Sequence, residues 1–251
     1  MSPVRQRPNV AQLPLDMVLW RYFDLEGALN LLKTKELRFT QLAQFEDGYE
    51  GRQSKAEKVQ DRDERVKIGL AAPDSDLGFD LWDVFNRFHT FASCWTSIGP
   101  NSMMMWSIYA PKAESLALET TVGDLMNSLP EDGPEVILGK LEYGDRENDL
   151  ADPPNPLDAI WRKWDYYSHE NEVRLSVNSN SFEENHGLRC VCEEPHYRQI
   201  KFEGFPVRRI YAHPKMGENL FTTLSAHIDS LQIGLSLDRT SIHGEPKSFN
   251  P

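Results

Sequence analysis

The chain has 251 residues, 27 Lys and Arg against 39 Asp and Glu, a net charge of −12 and 10% aromatic residues. That length can bury a core without staples, and the aromatic and charged contents exclude both a disordered chain and a membrane-embedded one. The acidic surplus argues against a broad duplex-binding surface, which needs clustered Lys and Arg, but leaves room for one local basic groove.

Residues 1–16 open with MSPVRQRPNVAQL, have no apolar h-region, and read as a flexible arm rather than a secretory signal or transit helix. No run of about 18 apolar residues follows, so no bilayer span is expected and the cytoplasm is the expected compartment. Order is expected from Met17, with a strand to Phe23. Asp24 then caps a helix in which Leu25, Ala28, Leu29 and Leu32 recur at helical spacing. Glu36 to Thr40 alternates as a second strand. The acidic turn Gln44 to Gly51 follows, and then a charged stretch, Arg52 to Gly69, that reads as a solvated helix or flap.

After a loop at 73–80, the pattern predicts a helix over 81–89, a strand over Thr90–Thr96 and a short buried helix over Met103–Tyr109. A strand over 115–119, a helix over 122–129 and a strand over 136–143 lead into an Asp- and Pro-rich loop, 144–156. Residues 157–167 read as a helix, and 172–177, 188–192, 197–202 and 207–212 as strands. A helix over 217–231 and a last strand over 231–237 complete the order. Irregularly mixed helices and short strands favour an α+β fold: a single domain over 17–240, with mixed or antiparallel sheets, flanking helices and a 241–251 tail. The three cysteines, Cys94, Cys190 and Cys192, do not form a disulfide framework. Cys190 and Cys192 share one strand face and read as buried thiols, with metal binding as the weaker alternative.

The sharpest local feature is Glu170-Asn171-Glu172-Val173-Arg174-Leu175-Ser176-Val177. Alternation sends Val173, Leu175 and Val177 to one face, expected to be core, and Glu172, Arg174 and Ser176 to the other. Two carboxylates and a guanidinium emerging together can orient a hydroxyl or stabilise a developing cation. The alternative is a solvated strand face with a cross-paired Arg. The turn Glu46-Asp47-Gly48-Tyr49-Glu50 offers clustered oxygen ligands for a divalent cation, but lacks the EF-hand register and a nearby His, so surface acids are the better reading and no metal is assigned. Trp161 and Trp164, expected on one helix face beside Arg162 and Lys163, suit stacking a ring as well as packing. Dinucleotide, phosphate-loop, zinc-protease and nucleophile-elbow motifs do not occur.

In chain order, Leu19-Trp20-Arg21-Tyr22, Leu37-Arg38-Phe39-Thr40, Phe45 to Glu50, Ser93-Cys94-Trp95-Thr96, Met105-Trp106-Ser107-Ile108-Tyr109 and Glu170 to Arg174 form a series. This series resembles the bacterial domain-of-unknown-function family numbered twenty-nine seventy-one, with Glu46, Gly48 and Cys94-Trp95-Thr96 departing from its pattern. More distantly it is similar in order to the ADP-ribosyltransferase superfamily. That resemblance implies NAD as substrate, bound around Arg21, Tyr22, Thr40, Ser93, Thr96, Trp106 and Tyr109. It further implies Glu172 as the catalytic carboxylate and Glu170 as the auxiliary acid that positions an acceptor; the charge of nearby Arg174 is expected to keep Glu172 ionised. The expected function is transfer to a protein or nucleic acid acceptor by a toxin, defence or regulatory effector. Two alternatives stay open: a non-catalytic nucleotide- or protein-binding module, and a metal-dependent hydrolase using Glu46, Asp47 and Glu50.

Overall fold

A computed structural model describes residues 4–69, 79–149, 155–179 and 195–241. The expected strand 188–192 with Cys190 and Cys192 lies outside them, as do parts of the 73–80 and 144–156 loops and most of the tail. In order, the described elements are β1 (Val4–Gln6), β2 (Val18–Phe23), α1 (Leu25–Thr34), β3 (Glu36–Gln41), α2 (Lys55–Lys67), α3 (Phe79–His89), β4 (Thr90–Thr96) and α4 (Met103–Tyr109). They continue with β5 (Leu116–Thr121), α5 (Val122–Ser128), β6 (Val136–Lys140), β7 (Glu142–Gly144), β8 (Arg162–Trp164), β9 (Glu172–Asn178), β10 (Tyr197–Lys201), β11 (Arg209–Ala212), α6 (Glu218–Ser230) and β12 (Leu237–Arg239).

Ten strands form one mixed sheet ordered β1-β6-β9-β4-β2-β5-β11-β12, with β3 joining β4 and β10 pairing β3. Most pairs are antiparallel; β1–β6 and β11–β12 are parallel. Together with the flanking helices this is an α+β fold. One sheet face carries Leu19, Leu116, Leu118, Val173, Leu175 and Val177 and is covered by the apolar sides of α1, α5 and α6. The opposite face holds a smaller aromatic cluster of Trp20, Tyr22, Met105 and Trp106 under α4. No helix among the described residues is long and apolar enough to cross a membrane.

The sheet is split at its centre. On the edge of β4 opposite β9, β3 pairs at Phe91 and Ala92, whereas β2 pairs only at Thr96, opposite Trp20. Ser93, Cys94 and Trp95 sit between the two partners. This split positions the site.

Three expectations are corrected. The arm is ordered from Val4: β1 lies parallel to β6, and Gln6 is tied to Leu13 by bonds from its amide to the Leu13 carbonyl and from the Leu13 N–H to its oxygen. A three-residue edge strand is too short to display the alternation that marks a strand in sequence. Residues 157–167 are not one helix. Asn155 caps a 3-10 segment, Pro156–Trp161, which gives way to β8 and a second 3-10 segment, Asp165–Glu170. The i, i+3 recurrence that resembles α-helix also fits the three-residue turn of a 3-10 helix. The last strand lies at β12, beyond left-handed Gln232 and Gly234, rather than at 231–237.

Candidate functional site

The register β4–β9 sets Cys94 opposite Arg174 and Thr96 opposite Glu172. Strand alternation aims all four away from the main core, into a cleft of about 470 Å³ beside the split. The charged part of this strand face is not solvated: Arg174 is 1% exposed, and Glu170, Glu172 and Ser176 are also buried. The reading of a solvated strand face is thereby corrected.

The guanidinium of Arg174 organises the floor. Its Nε donates to Glu172 Oε1 at 2.8 Å, while Nη1 and Nη2 donate to the two oxygens of Glu50 at 3.1 and 3.2 Å. Nη1 also donates to the Ile160 carbonyl at 2.8 Å. Lys163 completes the network, with Nζ 2.8 Å from Glu170, 3.4 Å from Glu50 and 3.6 Å from Glu172. Three buried carboxylates thus share two cations. A buried charge is tolerable only when so paired.

These contacts fix the protonation states. Burial alone would raise the Glu172 carboxyl, but Arg174 and then Lys163 outweigh it and hold it below its ordinary value. Burial would lower Lys163, yet Glu172, Glu50 and Glu170 hold it above its ordinary range. Burial, and after it the Glu172 carboxylate, push the Cys94 thiol well up and favour its protonated form. Burial raises Tyr143, whose hydroxyl accepts from the Glu172 N–H at 2.8 Å, to about 12. Burial and the Glu170 carboxylate likewise hold the Tyr109 phenol above its ordinary range.

The sequence offers Glu50 as a metal ligand and Lys163 as a cation of the cleft; the structure makes both of them members of the ion network. Glu50 belongs to the acidic turn, yet it is only 2% exposed. Arg87 explains why: its Nη1 donates to the Gly48 and Glu50 carbonyls at 2.8 and 2.9 Å and clamps the turn inward. Gly51 at φ 73° then lets the chain reverse against Leu42 and Asn86. Lys163 arrives on β8, pinned opposite Tyr143 of β7 and lying 4.4 Å from the Tyr167 ring centre.

Of the residues assigned from sequence, Arg21, Tyr22, Thr40, Thr96, Tyr109, Glu170, Glu172 and Arg174 line the cleft. Arg21 enters from behind. It alternates with Trp20 and Tyr22, so it issues from the core face, lies over the Phe23 and Trp95 rings and donates to Ser93 Oγ at 2.5 Å. It meets the cleft only through the split. Burial lowers its guanidinium to about 10. Ser93 lies behind the cleft as the acceptor for Arg21. Trp106 is corrected outright: it is wholly buried, edge-on to Tyr22, with Nε1 donating to the Pro100 carbonyl at 2.7 Å. Helical spacing turns it inward and leaves Ile108 and Tyr109 on the cleft. Trp161 and Trp164 do not share a face; Trp161 is buried near Arg7, whereas Trp164 stacks with Tyr166.

Thr96 is the positioning hydroxyl. Its Oγ1 donates to the Glu170 carbonyl at 2.6 Å and accepts from the Ile98 N–H at 3.0 Å, so it fastens β4 to the turn before Glu172. Thr96→Val strands both backbone groups and is expected to cost about 1–3 kcal/mol in urea unfolding. An unchanged midpoint would show that neither bond contributes.

Compared with known proteins, the chain matches no family model and no curated protein.

Proposed function

We propose that the cleft is an NAD-dependent ADP-ribosyltransferase-like site acting on a macromolecular acceptor. The observation that carries this reading is Glu172: a buried carboxylate kept ionised by Arg174 and Lys163 on the floor of an aromatic-walled cleft. A fixed anion in a water-poor site stabilises positive charge far better than one in solvent, because it needs no reorganisation when that charge develops. In this reading the bond between nicotinamide and ribose breaks with its electron pair leaving on nicotinamide. The ribose carbon becomes cationic, and the acceptor nucleophile attacks it and loses a proton.

Glu172, with a lone pair beyond its contacts to Arg174, Lys163 and Cys94, takes a ribose hydroxyl and faces the developing cation. Glu170, two residues away and bound to Lys163, stands where an acceptor is oriented. Arg21, Tyr22, Thr40 and Tyr109 supply the walls. The hydrolase alternative draws on Glu46, Asp47 and Glu50, of which Glu50 binds Arg174 through both oxygens and serves the ion network.

The test is incubation with NAD labelled in the nicotinamide ring, alone and with protein or nucleic acid acceptors. Release that vanishes in Glu172→Gln is the expected result. Thermal stabilisation by NAD with no release in the wild type would instead make the cleft a binding module. Absence of both would overturn the NAD reading.

A further inference from the structure

The same strand pair floors a second cavity. Along β4 and β9, Cys94 and Arg174 belong to the first cleft, whereas Thr90, Ser176 and Asn178, on the same face and a few residues on, line a separate cavity of about 780 Å³. The bond from Arg174 to the Ile160 carbonyl lies between the two. The walls of the second cavity include Arg146 and Arg162, both more than nine-tenths buried.

These two guanidiniums are under-satisfied. Nη2 of Arg162 bonds Glu57 Oε1, and Nη2 of Arg146 bonds the Arg52 carbonyl. The remaining Glu57 oxygen accepts from the Ser54 N–H at 2.8 Å and lies 4.0 Å from Arg146 Nη1. Among the described residues, Arg146 Nε, Arg146 Nη1 and Arg162 Nε have no hydrogen-bond acceptor. Of the other carboxylates lining the cavity, Glu142 and Asp158 pair with Arg7 at 2.7 and 3.6 Å, and Glu135 pairs with Arg5 at 3.2 Å. Asp149 also lines the cavity and acts electrostatically on Arg146.

Buried N–H groups without acceptors are rare in folded proteins, and a cluster of them on residues that line a cavity points to an acceptor bound there. Three donors on two guanidinium planes call for an anion with oxygens in more than one direction. A carboxylate accepts mainly within one plane, whereas the oxygens of a tetrahedral phosphoryl group point toward donors on both guanidinium planes. We propose that this second cavity is a phosphate-binding site in which Arg146 and Arg162 together hold the phosphoryl oxygens of an organic phosphate. The assignment stands apart from the transferase reading, since it uses neither Glu172 nor the first cleft.

Titration of the full chain with inorganic pyrophosphate, by calorimetry and thermal shift at constant ionic strength, tests it. The wild type should bind saturably and gain thermal stability. Arg146→Met and Arg162→Met should each weaken binding by about tenfold or more, since each removes charge-assisted bonds. Glu172→Gln should bind as the wild type does. Should Arg146→Met fail to fold, Arg146→Lys keeps the charge, loses the fork and is expected to show the same weakening. No saturable binding by the wild type would overturn the site. So would undiminished binding by the arginine variants, or loss in Arg21→Met with retention in Arg146→Met, which would place the anion in the first cleft.

Discussion

Arg174→Met is expected to destabilise the protein by about 3–5 kcal/mol at neutral pH, the range for breaking a buried ion network by removing one partner. The methionine keeps most of the stem's apolar volume, so the loss reports on charge and hydrogen bonding rather than on a cavity. Without the guanidinium, Glu50 loses both of its bidentate bonds and Glu172 its 2.8 Å contact. Lys163 alone then faces three carboxylates. Arg174→Lys should recover only part of the loss, because one ammonium cannot reproduce a planar fork bonded to two carboxylates at once.

The pH dependence carries a sign. In the wild type the Glu172 carboxyl is held below its ordinary value, so its contribution is present above the unfolded value and is lost as pH falls through the folded one. Lys163 is held above its ordinary value, so its contribution is present below the unfolded value and is lost as pH rises through the folded one. The network therefore stabilises evenly through neutrality and weakens at both extremes. In Arg174→Met, burial dominates Glu172 and its carboxyl rises. Protonation then removes uncompensated charge, and the deficit against the wild type should shrink on acidification. Urea unfolding at neutral and acidic pH measures this. A deficit within about 1 kcal/mol, the range of exposed ion pairs, would show that the network is effectively solvated.

The parts of this site legible in the sequence were those set by local periodicity. The alternation from Glu172 to Val177 separates core from cleft residues, Thr90–Thr96 emerges with its observed bounds, and Asp24 caps its helix with a bond from the Gly27 N–H at 2.8 Å. Glu50 was not legible, because its inward turn depends on Arg87, distant in sequence. Lys163 was legible as a cleft cation, but its place on β8 was hidden by an apolar spacing that a 3-10 segment satisfies as well as an α-helix. The entry of Arg21 through the sheet depends on where β2 and β3 part along β4, a long-range register no local pattern records. Trp106 shows the reverse: aromatic character suited both a cofactor contact and the core, and only the docking of α4 decides for the core.

Glu172→Gln should lower nicotinamide release by about 10²–10³-fold, the scale for losing one preorganised electrostatic partner of a developing charge. The substitution is nearly isosteric, so cleft shape is retained. The amide oxygen can still accept from Arg174, but the amide nitrogen then faces Lys163, donor against donor, and the negative charge is gone. Because that charge matters most as the ribose carbon becomes cationic, the loss should fall on kcat rather than KM. NAD affinity measured by calorimetry should stay near that of the wild type. The pH profile separates this role from mere packing: Glu172 is held ionised below the ordinary carboxylate range, so its own protonation should not limit the rate between pH of about 5 and 7. In Lys163→Met one of the two cations holding it ionised is lost, and the acid limb should move to higher pH. A wild-type rate in Glu172→Gln, or a fall confined to KM with kcat intact, would remove Glu172 from the chemistry and leave the cleft a binding surface.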